Sequence, residues 1–118
     1  MIGIIDYGAG NLKSVSKALD YLKLEHKIIK SSKDIKNAEK LILPGVGNFG
    51  EVISNLRKQK IFESIKKFID SGKSYLGICI GLQLLFESSE EAEDVAGFGI
   101  FKGEFKKITI NLKVPHIG

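Results

Sequence analysis

The chain's single cysteine, Cys79, stands between two glycines in the run Gly77-Ile78-Cys79-Ile80-Gly81. The apolar run 75–78 is typical of a buried strand, and the leucine-rich run that follows the second glycine suits a helix. A cysteine at a sharp strand-to-helix turn is a G-x-C-x-G version of the nucleophile elbow. The glycines have a steric reason, because a Cβ beside so tight a turn would meet neighbouring backbone. The pattern therefore predicts a strand, a turn and a helix here.

The elbow also predicts chemistry at the sulfur. A lone cysteine is usually a small buried hydrophobe, but the glycines and the strand-turn-helix context favour an accessible thiol at Cys79. The helix that begins after it directs free N–H groups and its positive dipole end at the sulfur, which stabilises a thiolate. We therefore predict that Cys79 is a nucleophile.

Composition limits the class of protein. The 118 residues, 43% of them hydrophobic, predict a single domain over residues 1–118 with a real core. One cysteine excludes an internal disulfide and fits a reducing compartment. The first ten residues lack the basic segment of a signal peptide, and no apolar run approaches the ~18 residues that span a bilayer. We expect a cytoplasmic protein with no membrane partner.

The net charge of +4 does not by itself indicate nucleic-acid binding. Nearly all the positive charge is lysine interspersed with acids, and Arg57 is the only arginine. Forked recognition of bases and phosphates favours arginine. We therefore expect solvated lysine faces and no nucleic-acid partner.

Apolar runs alternate with helical periodicity along the chain. Strands are predicted at residues 1–5, 27–30, 41–43 and 75–78. Helices are predicted at residues 12–24, with Asn11 as N-cap, and at residues 52–69, closed by Gly72. Residues 31–36 are predicted as a loop with a helical turn, residues 88–94 as an acidic solvated loop, and the alternation after residue 95 as strands in hairpins.

This order indicates an α/β fold, with a mostly parallel sheet covered by helices on both faces. In such sheets, sites form outside the carboxyl ends of the strands. Three loops follow strands here, at residues 6–11, 44–50 and 79–81. We expect them to converge on one crevice.

A second motif offers an alternative function. Gly45-x-Gly47-x-x-Gly50 matches the dinucleotide fingerprint, and it lies between a predicted strand and a predicted helix. It follows a later strand instead of the first, however, and Asp70, the acid about 20 residues on, precedes the next strand. A non-catalytic nucleotide-binding module therefore stays the weaker hypothesis.

The two histidines, His26 and His116, do not form a metal-ligand pattern with the cysteine. No C-x-x-C or H-x-x-x-H spacing occurs, so we predict no metal and no cofactor. His26 precedes the second strand and is therefore expected at the edge of the sheet opposite the crevice.

Taken together, three segments carry a family resemblance: IIDYGAGNLKSV at residues 4–15, LILPGVGNFG at 41–50 and GICIGLQLLFESSEE at 77–91, with KVPHIG at 113–118 as a fourth. The chain resembles the N-terminal portion of the glutaminase subunits of imidazole glycerol phosphate synthase, which are class I glutamine amidotransferases. The resemblance implies a flavodoxin-like domain whose C-terminal part is missing here. It also implies hydrolysis of glutamine to glutamate and ammonia, with the ammonia passed to a cyclase subunit in a heterodimer for histidine biosynthesis.

The resemblance assigns roles to particular residues. Cys79 would form a thioester with the glutamine side chain, and the backbone N–H of Ile80 would help bind the oxyanion. The second oxyanion donor would be Val46 or Gly47, and the sequence does not decide between them; Gly47 would also let the backbone approach the substrate. Gln83 is similar to a residue that contacts glutamine in this family, although an ordinary helix-surface glutamine explains it equally well.

One part of the family's machinery has no match. Members transfer protons through a histidine oriented by a glutamate, in a motif far downstream of the cysteine, and neither His26 nor His116 lies in such a motif. The chain is therefore expected to lack this half of the site and to show only trace turnover as given. Two further alternatives remain: an amidotransferase that supplies ammonia for sugar amidation, and a hydrolase with a cysteine nucleophile.

Overall fold

The computed structural model of the protein describes residues 1–8, 12–45, 48–89, 97–99 and 101–105, without the side chains of residues 82–83, 86–89 and 101–105. The strands are β1 Ile2–Ile5, β2 His26–Ile29, β3 Lys40–Leu43, β4 Ser74–Gly77, β5 Phe86–Ser89 and β6 Phe101–Phe105. The helices are α1 Leu12–Tyr21, α2 Ser32–Asn37, α3 Phe49–Lys58, α4 Phe62–Asp70 and α5 Ile80–Gln83.

The first four strands form one parallel sheet in the order β2-β1-β3-β4. Parallel neighbours need crossover connections, and the helices between successive strands supply them. The predicted parallel α/β sheet is confirmed. Its carboxyl edge carries the ends of β1, β3 and β4, so the three predicted loops begin on neighbouring strands.

Alternate residues of the central strands enter two separate cores. Ile5 and Leu43 face a large core formed with α2, α3, α4 and α5. Ile4 and Ile42 face the other side, where Leu19 of α1 covers them. Because strand side chains alternate in direction, this division follows from the period of two along β1 and β3. Helices therefore cover both faces, as predicted.

Two helices end earlier than their apolar spacing predicts. The first stops at Tyr21, not at residue 24, because Lys23 adopts a left-handed backbone with φ +59° and the Leu24 N–H returns to the Leu19 carbonyl at 2.9 Å. The long helix expected over residues 52–69 is two helices, α3 and α4, separated at Lys60 with φ +58°. A lysine in the left-handed region ends a helix as glycine commonly does.

Other predictions are refined or corrected. Residues 32–37 form a short helix, α2, capped by the Ser31 hydroxyl, which accepts from Asp34 N–H at 3.1 Å. The sequence predicts a buried β4, yet Leu76 is 55% exposed, because it lies beside Ile42 on the face covered by α1 and does not belong to the small core there. Gly72 ends α4 with φ +87°, as expected.

The chain after the cysteine also differs from expectation. Helix α5 is a single turn, shorter than the leucine-rich run suggests, and strand β5 begins at Phe86. Strand β5 pairs with β6 in parallel. The hairpins predicted after residue 95 stay a prediction, because only β6 of that region is among the described strands. Residues 90–96 and 106–118, which include the rest of the acidic run and His116, lie outside the described residues, as does Asn11. Within the described part, no helix has the length and apolar character of a membrane span.

Candidate active site

Cys79 occupies the turn between β4, which ends at Gly77, and α5, which begins at Ile80. Its backbone is left-handed, with φ +55°, a conformation that costs an ordinary L-residue free energy. Its thiol is exposed and free. The strand-turn-helix geometry predicted from the sequence is therefore present, and the strain falls on the residue that carries the sulfur.

Backbone carbonyls at the end of β3 hold the elbow on both sides of the cysteine. The Ile78 N–H donates to the Leu43 carbonyl at 3.1 Å, and the Ile80 N–H donates to the Gly45 carbonyl at 3.2 Å. Leu43 is the last residue of β3, and Gly45 begins the glycine-rich loop. The end of β3 and the start of the glycine-rich loop therefore contact the cysteine turn.

The first loop joins the same assembly through Tyr7, which is 1% exposed. Its hydroxyl donates to the Pro44 carbonyl at 2.9 Å. Asp6 shapes the start of this loop, since its carboxylate accepts from the Gly8 N–H at 3.0 Å and lies 3.5 Å from the Lys30 ammonium. The described parts of the three loops converge, as the topology predicts.

Two glycines are required by these close approaches. A Cβ on Gly81 would lie 2.1 Å from the Leu43 carbonyl oxygen, which is backbone and cannot rotate away. A Cβ on Gly45 would lie 1.7 Å from the Tyr7 hydroxyl, and Gly45 has φ +153°. The steric reason given for the second elbow glycine is thereby supported, and Gly45 has its own.

The structure describes some, but not all, of the residues predicted to bind the oxyanion and glutamine. In this structure the Ile80 N–H is engaged by the Gly45 carbonyl, so it is free for an oxyanion only when that hydrogen bond opens. Val46 and Gly47 lie outside the described residues. Gln83 is the last residue of α5, but its side chain is not among those described. Of the predicted set, the structure therefore brings Cys79 and Ile80 together.

Two tyrosines near the cysteine turn make hydrogen bonds that the sequence pattern does not predict. Besides Tyr7, Tyr75 of β4 donates its hydroxyl to the Gly81 carbonyl at 2.7 Å. Burial raises the pKa of both phenols, and the nearby Tyr7 adds to the rise at Tyr75. Both hydroxyls are therefore neutral donors throughout the physiological range. Their only sequence signal is an aromatic residue beside a strand end, which is too common to identify a contact.

His26 is placed away from the cysteine, as expected. It begins β2 in the register row that also contains Ile2, Lys40 and Ser74, and Cys79 lies further toward the carboxyl edge. At ~3.3 Å per residue, the interval from Ser74 to Gly77, the last residue of β4, is about 10 Å along the strand direction, and Cys79 follows it. His26 instead bonds Ser16 at 2.7 Å and the Leu24 carbonyl at 2.9 Å. It therefore ties α1 to β2.

The glycine-rich loop leads into α3 in a way that disfavours phosphate binding. Asn48 is the N-cap of α3, and its side-chain oxygen accepts from the Gly50 and Glu51 N–H groups at 2.9 and 3.3 Å. These are amides that a dinucleotide pyrophosphate would use at a helix start. The structure therefore gives no support to the nucleotide-binding alternative.

Two cavities lie away from Cys79. One of about 490 Å³ follows an exposed face of α3. The other, of about 340 Å³, lies between α2 and α4 and is lined by serines and lysines. Several of its polar side chains bond within the protein: Ser32 pairs with Ser64, Ser71 donates to a backbone carbonyl of α4, and Lys73 donates to two carbonyls at the end of α2. Among the described residues, no cluster of His, Cys, Asp and Glu could hold a metal.

Comparison with known proteins places these features in a family. The family profile "Glutamine amidotransferase class-I" matches residues 3–118. The chain is 53% identical to "Imidazole glycerol phosphate synthase subunit HisH" of Prochlorococcus marinus subsp. pastoris, over 99% of this chain and 58% of that protein. It is 44% identical to the protein of the same name from Bacillus subtilis, over 100% of this chain and 58% of that protein. The chain thus spans somewhat more than half the length of these relatives.

Solved structures give the same fold. A "Crystal structure of glutamine amidotransferase" superimposes with a TM-score of 0.78 at 19% identity, covering 96% of this chain and 59% of that one. A putative peptidase E protein from Listeria monocytogenes superimposes with a TM-score of 0.61 at 18% identity, covering 73% of this chain and 49% of the other. At these identities the likeness concerns the fold alone.

Proposed function

The chain belongs to the class I glutamine amidotransferase family, and from that premise we propose that Cys79 attacks the side-chain amide carbon of glutamine. The observation that carries the proposal is the exposed thiol of Cys79, held in a left-handed turn between β4 and α5. Such a turn keeps a nucleophile accessible above the sheet. A single free cysteine also fits the reducing cytoplasm, where we place the reaction.

In the proposed reaction a carbon–sulfur bond forms as the amide carbonyl becomes an oxyanion. The carbon–nitrogen bond then breaks, the proton given up by the thiol passes to the departing nitrogen so that ammonia leaves, and water hydrolyses the thioester to glutamate and the free thiol. The Ile80 N–H would stabilise the oxyanion after its bond to Gly45 opens, and the second donor would be Val46 or Gly47. Gln83 would contact the substrate glutamine. Each of these assignments is a proposal.

Proton transfer in this reaction needs a base for the thiol and an acid for departing ammonia. His26 does not fill this role, because it lies at the amino edge of the sheet and is bonded to Ser16 and Leu24. In the family that the chain resembles, this role belongs to a histidine that is oriented by a glutamate, downstream of the cysteine. We therefore assign Cys79 to bond formation and assign no described residue to proton transfer.

The similarity to synthase subunits supports a particular destination for the ammonia. The relatives are named as subunits of imidazole glycerol phosphate synthase. We therefore place this chain in a heterodimer with a cyclase subunit that consumes ammonia in histidine biosynthesis. Release of ammonia that rises when a cyclase subunit is added would support this assignment over sugar amidation.

Covalent labelling tests the proposed nucleophile. A diazo-ketone analogue of glutamine should add one mass increment at Cys79, and excess glutamine should protect the thiol. The Cys79→Ala variant should take up no label. A wild-type chain that reacts with iodoacetamide but not with the analogue would contradict the glutaminase function and favour another cysteine chemistry.

A further inference from the structure

Tyr75 connects the two sides of the cysteine turn. It lies in β4, before Cys79, and its hydroxyl donates to the carbonyl of Gly81, after Cys79, at 2.7 Å. The two residues are six positions apart, so their hydrogen bond closes a small ring of chain around the sulfur. We call this hydrogen bond the elbow bridge.

The turn that the elbow bridge encloses is strained. Cys79 has φ +55°, and its neighbours must hold this conformation against the ordinary preference of an L-residue. Backbone hydrogen bonds from Ile78 and Ile80 to the end of β3 help to hold Cys79 in this conformation. They fix the residues next to the cysteine but do not include the peptide that follows Gly81, whose carbonyl is that of Gly81. The Tyr75 hydroxyl bonds to the carbonyl of that peptide.

The Tyr75 ring is itself held in place, which makes its hydroxyl a defined contact point. It meets the buried Phe98 ring edge-on, with centroids 6.5 Å apart and planes at 84°, an attractive arrangement of aromatic rings. Phe98 in turn lies 4.9 Å from the Phe62 ring and bonds through its N–H to the Leu84 carbonyl. Phe98, which packs against the Tyr75 ring, is therefore anchored to the segment that follows α5.

We propose that Tyr75 is a positioning residue, whose hydroxyl fixes the Gly81 peptide and thereby the direction in which the Cys79 sulfur meets glutamine. The inference rests on the proposed glutaminase function. Tyr75 does not touch the substrate or exchange protons with it. Its contribution is orientation, and small losses of orientation at a reacting atom lower rates strongly.

The test compares Tyr75→Phe with Tyr21→Phe, a control that removes a hydroxyl from a side chain 86% exposed. Labelling of Cys79 is measured with the diazo-ketone glutamine analogue and with iodoacetamide, well below the melting temperature of each variant. Tyr75→Phe should slow the analogue about tenfold, the effect of one lost hydrogen bond, while alkylation by iodoacetamide stays near the wild-type rate. Tyr21→Phe should change neither rate.

A conservative replacement separates positioning from packing. Tyr75→4-aminophenylalanine keeps a donor at the ring's end and should restore labelling by the analogue. A folded Tyr75→Phe variant with an unchanged ratio of the two rates would overturn the inference, as would a slowed variant that the amino group does not rescue.

Hydrogen exchange tests the elbow bridge independently of the glutaminase function. The Gly81 N–H donates to the Ile78 carbonyl at 3.1 Å across the cysteine, so its exchange reports whether the turn is held. Tyr75→Phe should speed this exchange about tenfold and Tyr21→Phe should leave it unchanged. If the analogue fails on the wild-type chain, the glutaminase function is lost, and the exchange result still decides whether the elbow bridge exists.

Discussion

The Tyr7 hydroxyl donates to the Pro44 carbonyl at 2.9 Å, and this bond fixes the peptide that leads into the glycine-rich loop. The next carbonyl, that of Gly45, accepts from the Ile80 N–H beside the cysteine. Tyr7→Phe keeps the ring but frees the peptide. We expect faster hydrogen exchange at the Ile80 amide by about tenfold, the loss of one hydrogen bond. Unchanged exchange at Ile80 would show that packing alone holds the loop.

Replacing the cysteine should reveal the strain of its left-handed backbone. Glycine adopts φ +55° without the steric cost that alanine meets, so Cys79→Gly should be more stable than Cys79→Ala by about 1 kcal/mol. Ser54, exposed in the interior of α3, provides the control. There Ser54→Gly should be less stable than Ser54→Ala by about 1 kcal/mol. Urea melts measure all four, and the same order at both positions would refute the strain.

The glycines at the elbow and at the end of α4 should respond differently to alanine. Gly81→Ala places a Cβ 2.1 Å from the Leu43 carbonyl and should cost about 3 kcal/mol of unfolding free energy. Gly72→Ala meets no atom within 4 Å and should cost about 1 kcal/mol, the penalty of its φ of +87° alone. Thermal melts compare them, and equal losses would mean that the close approach relaxes freely. For Gly47, a loss of stability comparable to that at Gly81 stays a prediction.

The buried Tyr7 and the partly buried Tyr75 should make the fold sensitive to alkali. Because burial raises the pKa of Tyr7 and Tyr75 in the folded chain, the unfolded chain ionises first, from about pH 10. Their contribution to stability is therefore complete below pH 10 and is lost as pH rises beyond it. The free energy of unfolding should fall less steeply above pH 10 in the double variant Tyr7→Phe, Tyr75→Phe. Parallel curves for variant and wild type would contradict the burial of these groups.

His26 should matter for stability and not for the cysteine chemistry. His26→Ala removes its contacts with Ser16 and the Leu24 carbonyl, so unfolding free energy should fall by about 1 kcal/mol. The rate at which the glutamine analogue labels Cys79 should stay unchanged. A large loss of labelling in a folded variant would show that His26 acts on the cysteine after all.

The sequence predicts the parallel sheet and the cysteine turn because both leave local signals: apolar strands, helical periodicity and paired glycines. It does not predict the breaks at Lys23 and Lys60, since lysine gives no sign of a left-handed backbone. Nor does it predict the Tyr7 contact, which joins residues 37 positions apart. The exposure of Leu76 is not predicted either, because an apolar strand has the same sequence pattern whether or not a helix covers its face.

The bonds from Ile78 and Ile80 to the end of β3 have a consequence for folding. Their partners are far upstream, so no peptide that contains only the cysteine and its neighbours can hold the left-handed turn. Long-range closure must come first, and such contacts form slowly. In a refolding experiment the thiol should therefore behave as an ordinary cysteine at early times. Its selectivity for the glutamine analogue should appear with the same rate constant as the pairing of β3 with β4, which makes the thiol a reporter of when the sheet assembles.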